Sequence, residues 1–134
     1  MKTVGVSSRA LPLSRRNLHV LAEQGVNELD RAGANKLAIQ QITTEDRRLR
    51  TLQLLADAPG LTLNEDVIYH ALPKTGHVPT ADVLRNDLMW LAEVQLIALE
   101  LTRPWVASLL QRGAEVATGR ARAYGVAVPT LPIP

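Results

Sequence analysis

Thr80, Arg85 and Asn86 offer a hydroxyl, a guanidinium and an amide, groups that can meet phosphate oxygens or base edges. They share one segment, residues 80–93, whose leucines recur at helical spacing. Arg103 sits in a tight turn, Thr102-Arg103-Pro104, from which it could reach a phosphate or a minor groove. Arg112, Arg120 and Arg122 could form a phosphate-contacting edge near the end of the chain. Arg47, Arg48 and Arg50 make another basic group, and Arg9, Arg15 and Arg16 a third. Each cluster also has a plainer role open to it: solvated arginines that pair with Glu115 or nearby aspartates. Segment 80–93 itself carries Asp82, Asp87 and Glu93 against Arg85, so as a recognition helix it would repel phosphate at most of its charged positions.

Enzymatic chemistry finds little to stand on. Asp66 and His70 are four apart and could share a helix face, but no third ligand is placed, and His77 lies in a turn. The chain has no Gly-rich phosphate loop and no serine in a nucleophile elbow. Glu65-Asp66 reads as first-turn capping. No metal, cofactor or catalytic group is expected, and the chain reads as non-enzymatic.

Composition narrows the class further. The chain has 134 residues, 46% of them hydrophobic, enough for one packed core. It lacks cysteine, so disulfides and thiolate metal sites are excluded. No apolar run reaches the ~18 residues of a membrane span, and the first residues lack a secretory signal; a cytoplasmic place is expected. The net charge of +2 conceals a basic residue 1–44 stretch and a slightly acidic remainder. A dedicated nucleic-acid binder usually shows a larger excess of Lys and Arg.

The elements that must position these groups follow from periodicity and punctuation. Residues 1–42 form an arm, helical from Ser14, with a break expected near Gly33. Its stripe of Leu18, Ala22, Gly25, Leu29, Ala32 and Ile39, interrupted by Lys36, is an oligomer or partner interface candidate. The alternative is an arm folded back on its own domain. Thr43-Thr44-Glu45-Asp46 opens a helix to Asp57 with Leu49, Leu52, Leu55 and Ala56 inward, ended by Pro59-Gly60. A capping box, Thr62 to Glu65, starts a second helix to Leu72 that buries Val67, Ile68 and Leu72. Thr80 caps a third to about Glu93, with Val83, Leu84, Leu88, Leu91 and Val94 on the core side.

Gln95–Leu101 and Trp105–Leu110 alternate as two strands of a hairpin, and Ala114 to Arg122 closes with a short helix. Trp105 reads as a hairpin packing residue, Trp90 as a core or dimer contact. Residues 123–134, with Pro129, Pro132 and Pro134, should be extended. Helix, helix, helix, hairpin is the order of a mostly α winged helix-turn-helix over residues 43–122. That fold raises two expectations. One is a small DNA-binding or transcription-regulatory protein, acting as a homodimer on duplex DNA through Thr80, Arg85, Asn86 and Arg103, with Arg112, Arg120 and Arg122 on phosphate. The other is an adapter that has lost its DNA face and binds a partner protein through the arm.

Three stretches also carry a family likeness: Leu61-Thr62-Leu63-Asn64-Glu65, the run Leu84 to Leu91, and Arg112-Gly113 through Val116-Ala117 and Gly119-Arg120-Ala121-Arg122 to Gly125-Val126. With these, the chain from about Arg47 onward resembles a family of small winged-helix, ArsR-like proteins of Mu-like prophages. The resemblance implies a winged-helix fold and a phage or prophage source. It implies no catalytic or ligand residues.

Overall fold

A computed structural model describes residues 27–130, with side chains from residue 30 onward. The chain divides into two units at Gln40/Gln41. The first, where described, is one helical stretch, and Leu37, Ile39 and Ile42 beside its boundary are all more than 60% exposed. Helix α1 runs without interruption from Asn27 to Asp57. The breaks expected at Gly33 and at Thr43 are therefore absent. Gly33 and the two threonines each cost at most about 1 kcal/mol relative to alanine, which the surrounding Leu, Ala, Gln and Arg tolerate. Proline ends it. Ala58, preceding Pro59, is extended, and Gly60 takes a left-handed conformation at φ 69°.

The second unit contains the core. Its elements after α1 are β1 (Thr62–Asn64), α2 (Glu65–Ala71), α3 (Ala81–Glu93), β2 (Ile97–Glu100), β3 (Val106–Leu109) and α4 (Gln111–Thr118). Short 3-10 turns at Pro59–Leu61 and Leu72–Thr75 flank the first strand and the second helix. Leu49, Leu52 and Leu55 of α1 meet Ile68, Leu72, Leu84, Leu88 and Leu91 in one buried cluster. Leu96, Ile97, Ala107, Leu109 and Val116 close it from the sheet side. Val67 and Val94, expected inside, are 46% and 37% exposed; Ile68 and Leu91 take the inward directions of those turns.

The sheet has three strands, antiparallel, in the order β1-β3-β2. The expected hairpin is present, and β1 is an addition: Leu63 pairs with Ala107 and Asn64 with Val106. Thr62 is consequently a strand residue whose hydroxyl meets Ser108 Oγ at 3.0 Å, and it does not cap α2. That role falls to Asn64, whose Oδ1 accepts the Val67 N–H at 2.9 Å. The order helix, strand, helix, helix, strand, strand makes a mostly helical unit with a small three-stranded antiparallel sheet, compatible with the expected helices and hairpin.

Gln95 makes the turn between α3 and β2 in a left-handed conformation, φ 64°. Leu96 N–H bonds Leu91 O and Gln95 N–H bonds Ala92 O, the paired closure of a Schellman motif in which glycine usually holds the left-handed place. This turn delays the strand, which starts at Ile97 and not at Gln95. Gln95→Gly should raise stability by about 0.5–1 kcal/mol in urea unfolding, because the Cβ penalty disappears while both bonds remain.

Helix α4 is also shifted from expectation, ending at Thr118 because Gly119 turns left-handed at φ 85°. Residues beyond it do not trail away. Val126 is buried, and the Ala127 N–H donates to Glu45 O at 3.1 Å, so the segment straps the start of the core part of α1. Gly125 fits there because a Cβ would lie 2.7 Å from the Trp90 ring.

Candidate nucleic-acid interface

The first turn of α3 is built by Thr80, whose Oγ1 accepts the Val83 N–H at 3.2 Å. Two faces of the helix then diverge by residue type. Leu84, Asp87, Leu88 and Leu91 turn inward, while Asp82, Arg85, Asn86, Met89 and Glu93 are exposed.

Asp87, one of the acids expected to repel phosphate, does not face solvent. It is 3% exposed and bound by two arginines of α1. Arg47 donates from Nε to Oδ2 and, at 3.2 Å, from Nη2 to Oδ1; Arg48 Nε reaches Oδ1 at 3.4 Å. Arg48 further stacks 3.9 Å over the Trp90 ring and donates to Gly125 O at 3.1 Å. These arginines tie α1 to α3 and the terminal strap, and Arg50 pairs with Asp46. His77 Nε2 lies 2.6 Å from the same Asp46 carboxylate, anchoring the turn before α3 to α1.

Arg85 has a carboxylate of its own. Its Nε and Nη2 donate to the two oxygens of Glu65 at 2.7 and 2.8 Å, a bidentate fork, and its guanidinium lies 4.4 Å from the Trp105 ring centre. Glu65 is 8% exposed and also accepts the Trp105 N–H at 2.6 Å. It therefore opens α2 turned inward, and first-turn capping does not describe it. The hydrogen bonds from Arg85, with a smaller contribution from the Trp105 N–H, hold the Glu65 carboxyl below the ordinary 4.5 despite its burial. Glu65 in turn raises Arg85 above the usual arginine value.

The wing turn closes the surface. Arg103 and Pro104 share an open cleft of about 510 Å³ with Glu65, Asp66, Ala81, Asp82 and Arg85. The start of α3 and the tip of the β2–β3 turn thus face one space. Arg103 is exposed and makes no ion pair among the described residues. The same holds for Arg112, in the first turn of α4, and for Arg120 and Arg122, which lie past its end. Two cations, Arg85 and Arg103, and three acids, Glu65, Asp66 and Asp82, line the cleft.

Of the arm positions, Leu18, Ala22 and Gly25 lie outside the described residues, as does the side chain of Leu29, while Ala32 is exposed on α1. Asp66 and His70 do not form a ligand pair: His70 Nδ1 meets the Asp66 backbone oxygen at 2.8 Å. Among the described residues no group of three potential metal ligands converges, and no helix is long and apolar enough to cross a membrane.

Asp87 and Glu65 are the residues that sequence reasoning misplaced. For Asp87 a signal existed, since it stands on the stripe of Leu84, Leu88 and Leu91, and an acid on a core stripe asks for a buried cation. Glu65 offers none, because an acid in a first helical turn is already explained by the helix dipole.

The fold and this surface define a small, mostly helical protein with a three-stranded antiparallel sheet and a wing-like turn beside its third helix. The chain belongs to the family of the "Uncharacterized protein gp26" of Escherichia phage Mu, a Mu-like phage family. The two are 44% identical over 92 residues, which span 68% of this chain and 95% of the phage protein. An "Uncharacterized protein" of Haemophilus influenzae is 35% identical over 78 residues, 57% of this chain and 76% of that one. No family model and no solved structure matches the chain.

Proposed function

We propose that this is a non-enzymatic, phage-encoded protein of winged-helix type that binds duplex DNA mainly through its phosphates, acting as a homodimeric regulator. The observation behind this reading is the shared cleft, which sets the start of α3 and Arg103 of the wing turn against one space. A duplex laid there would meet Arg103, and Asn86, exposed on the helix that carries Asp82 and Arg85 of the cleft, offers an amide beside it. Arg112, Arg120 and Arg122 supply further cations for the backbone. Base reading by α3 is confined to Asn86, since Thr80 caps the helix, Arg85 is forked to Glu65, and Asp66 and Asp82 repel phosphate.

Binding of this kind is salt-dependent. Anisotropy with a random duplex should show affinity falling between about 50 and 200 mM salt, with a log–log slope of about −0.9 per phosphate neutralised. Arg103→Ala should weaken binding equally for all sequences and make that slope about one unit shallower. An unaltered slope would remove Arg103 from the interface.

A second reading has its own observation. Leu37, Ile39 and Ile42 are 67%, 64% and 63% exposed on α1, apolar surface suited to a host or phage protein if the chain is an adapter. An adapter would bind no duplex at the lowest salt, and light scattering of its mass alone and with phage proteins would then be the guide.

A further inference from the structure

Glu65 joins three elements at one point. It opens α2, receives both donors of Arg85 from α3, and accepts the N–H of Trp105, where the wing turn enters β3. Its own N–H donates to Trp105 O at 2.8 Å, so the two residues are bonded twice. The Arg85 guanidinium is seated between the carboxylate and the Trp105 ring.

We propose that Glu65 is a positioning residue that regulates the cleft: it fixes the wing turn against α3 and neutralises Arg85, so that loss of its charge delivers Arg85 to phosphate. The regulatory half rests on the DNA reading above; the positioning half does not. A phosphate competing for Arg85 would have to strand a carboxylate that is 8% exposed and has no other cation within salt-bridge distance among the described residues. It would also approach past Asp66 and Asp82, which line the same cleft. Arg85, although its side chain is 45% exposed, is thus a poor phosphate ligand while Glu65 is ionised. Removing that one negative charge changes the balance of the cleft and loosens the wing together.

The test uses the full chain as wild type, Glu65→Gln, Arg85→Ala and the double variant, each checked for cooperative thermal unfolding. Two readouts are taken: anisotropy with a short random duplex across the salt range, and hydrogen exchange of the Trp105 amide. Glu65→Gln should bind several-fold tighter, with a slope steeper by about 0.9, the increment of one added phosphate contact. The double variant, which restores the wild-type charge balance, should return to about wild-type affinity, and Arg85→Ala alone should bind more weakly, because the unanswered Glu65 carboxylate adds one negative charge to the cleft. Exchange at Trp105 should quicken by about tenfold or more in Glu65→Gln, since local opening is easier without the charged acceptor.

A folded Glu65→Gln with wild-type affinity, or a gain that survives in the double variant, overturns the regulatory half. Unchanged Trp105 exchange overturns the positioning half. If none of the proteins binds duplex, the DNA reading and the regulatory half fall together, and the Trp105 exchange decides the rest. Should Glu65→Gln not fold, Arg85→Lys keeps the charge but cannot form the fork, and faster Trp105 exchange is then the expected result, an unchanged rate the contrary one.

Discussion

Asp87→Ala should reduce the unfolding free energy by about 3 kcal/mol, the low end of the cost of deleting one partner from a buried ion pair. The low end applies because the side chains of Arg47 and Arg48 keep 12% and 18% of their exposure, so water recovers part of what the carboxylate supplied. The loss is nonetheless large for a single polar side chain. Two guanidiniums remain between α1 and α3 with no acid to answer them, and Arg48 still holds Trp90 and Gly125 O. Asp87→Asn keeps an acceptor at the same place and should lose less. Urea unfolding with an unchanged slope is the measurement. A loss under about 0.5 kcal/mol would put the cluster in the class of screened surface pairs.

Gly113→Ala sets two physical effects against each other. Helix propensity alone favours alanine by about 1 kcal/mol. The added Cβ would lie 2.1 Å from Leu96 O and 2.8 Å from Leu109 Cδ1. The leucine methyl can move, but the carbonyl cannot do so cheaply, because it accepts the Leu110 N–H at 3.1 Å where β3 passes into α4. Either α4 lifts from the sheet or that hydrogen bond breaks. Overpacking and a lost bond outweigh propensity, and a net destabilisation of about 2–3 kcal/mol is expected in urea unfolding. Gly33→Ala is the control: it stands in α1 with no heavy atom within 4 Å, so propensity should act unopposed. Equal responses at the two glycines would mean that α4 does not sit tightly on the Leu96 carbonyl.

The DNA reading and the stability effects bear on different arginines. Arg47, Arg48 and Arg85 hold the fold together through Asp87 and Glu65, whereas Arg103, Arg112, Arg120 and Arg122 have no acidic partner among the described residues. Substitutions in the first set should therefore register first as lost stability, and in the second set as altered salt dependence. Arg85 belongs to both accounts, which makes Glu65 the informative position.

Much of the framework was legible in the chain itself. The leucine stripes of α1 and α3, the Thr80 cap, Pro59-Gly60 and the turn at Thr102–Pro104 each announce themselves within a few residues. Helical periodicity, a capping hydroxyl and a missing proline N–H act over one or two turns of backbone, so a local sequence is enough to state them. Tertiary structure alone decided that Thr62–Asn64 is a strand, because three residues have no alternation to read and need the free edge of β3 to exist. It also decided which charges are structural. An arginine or carboxylate takes its role from the group facing it across the core, forty residues away for Arg47 and Asp87, twenty for Arg85 and Glu65, and composition does not record that pairing.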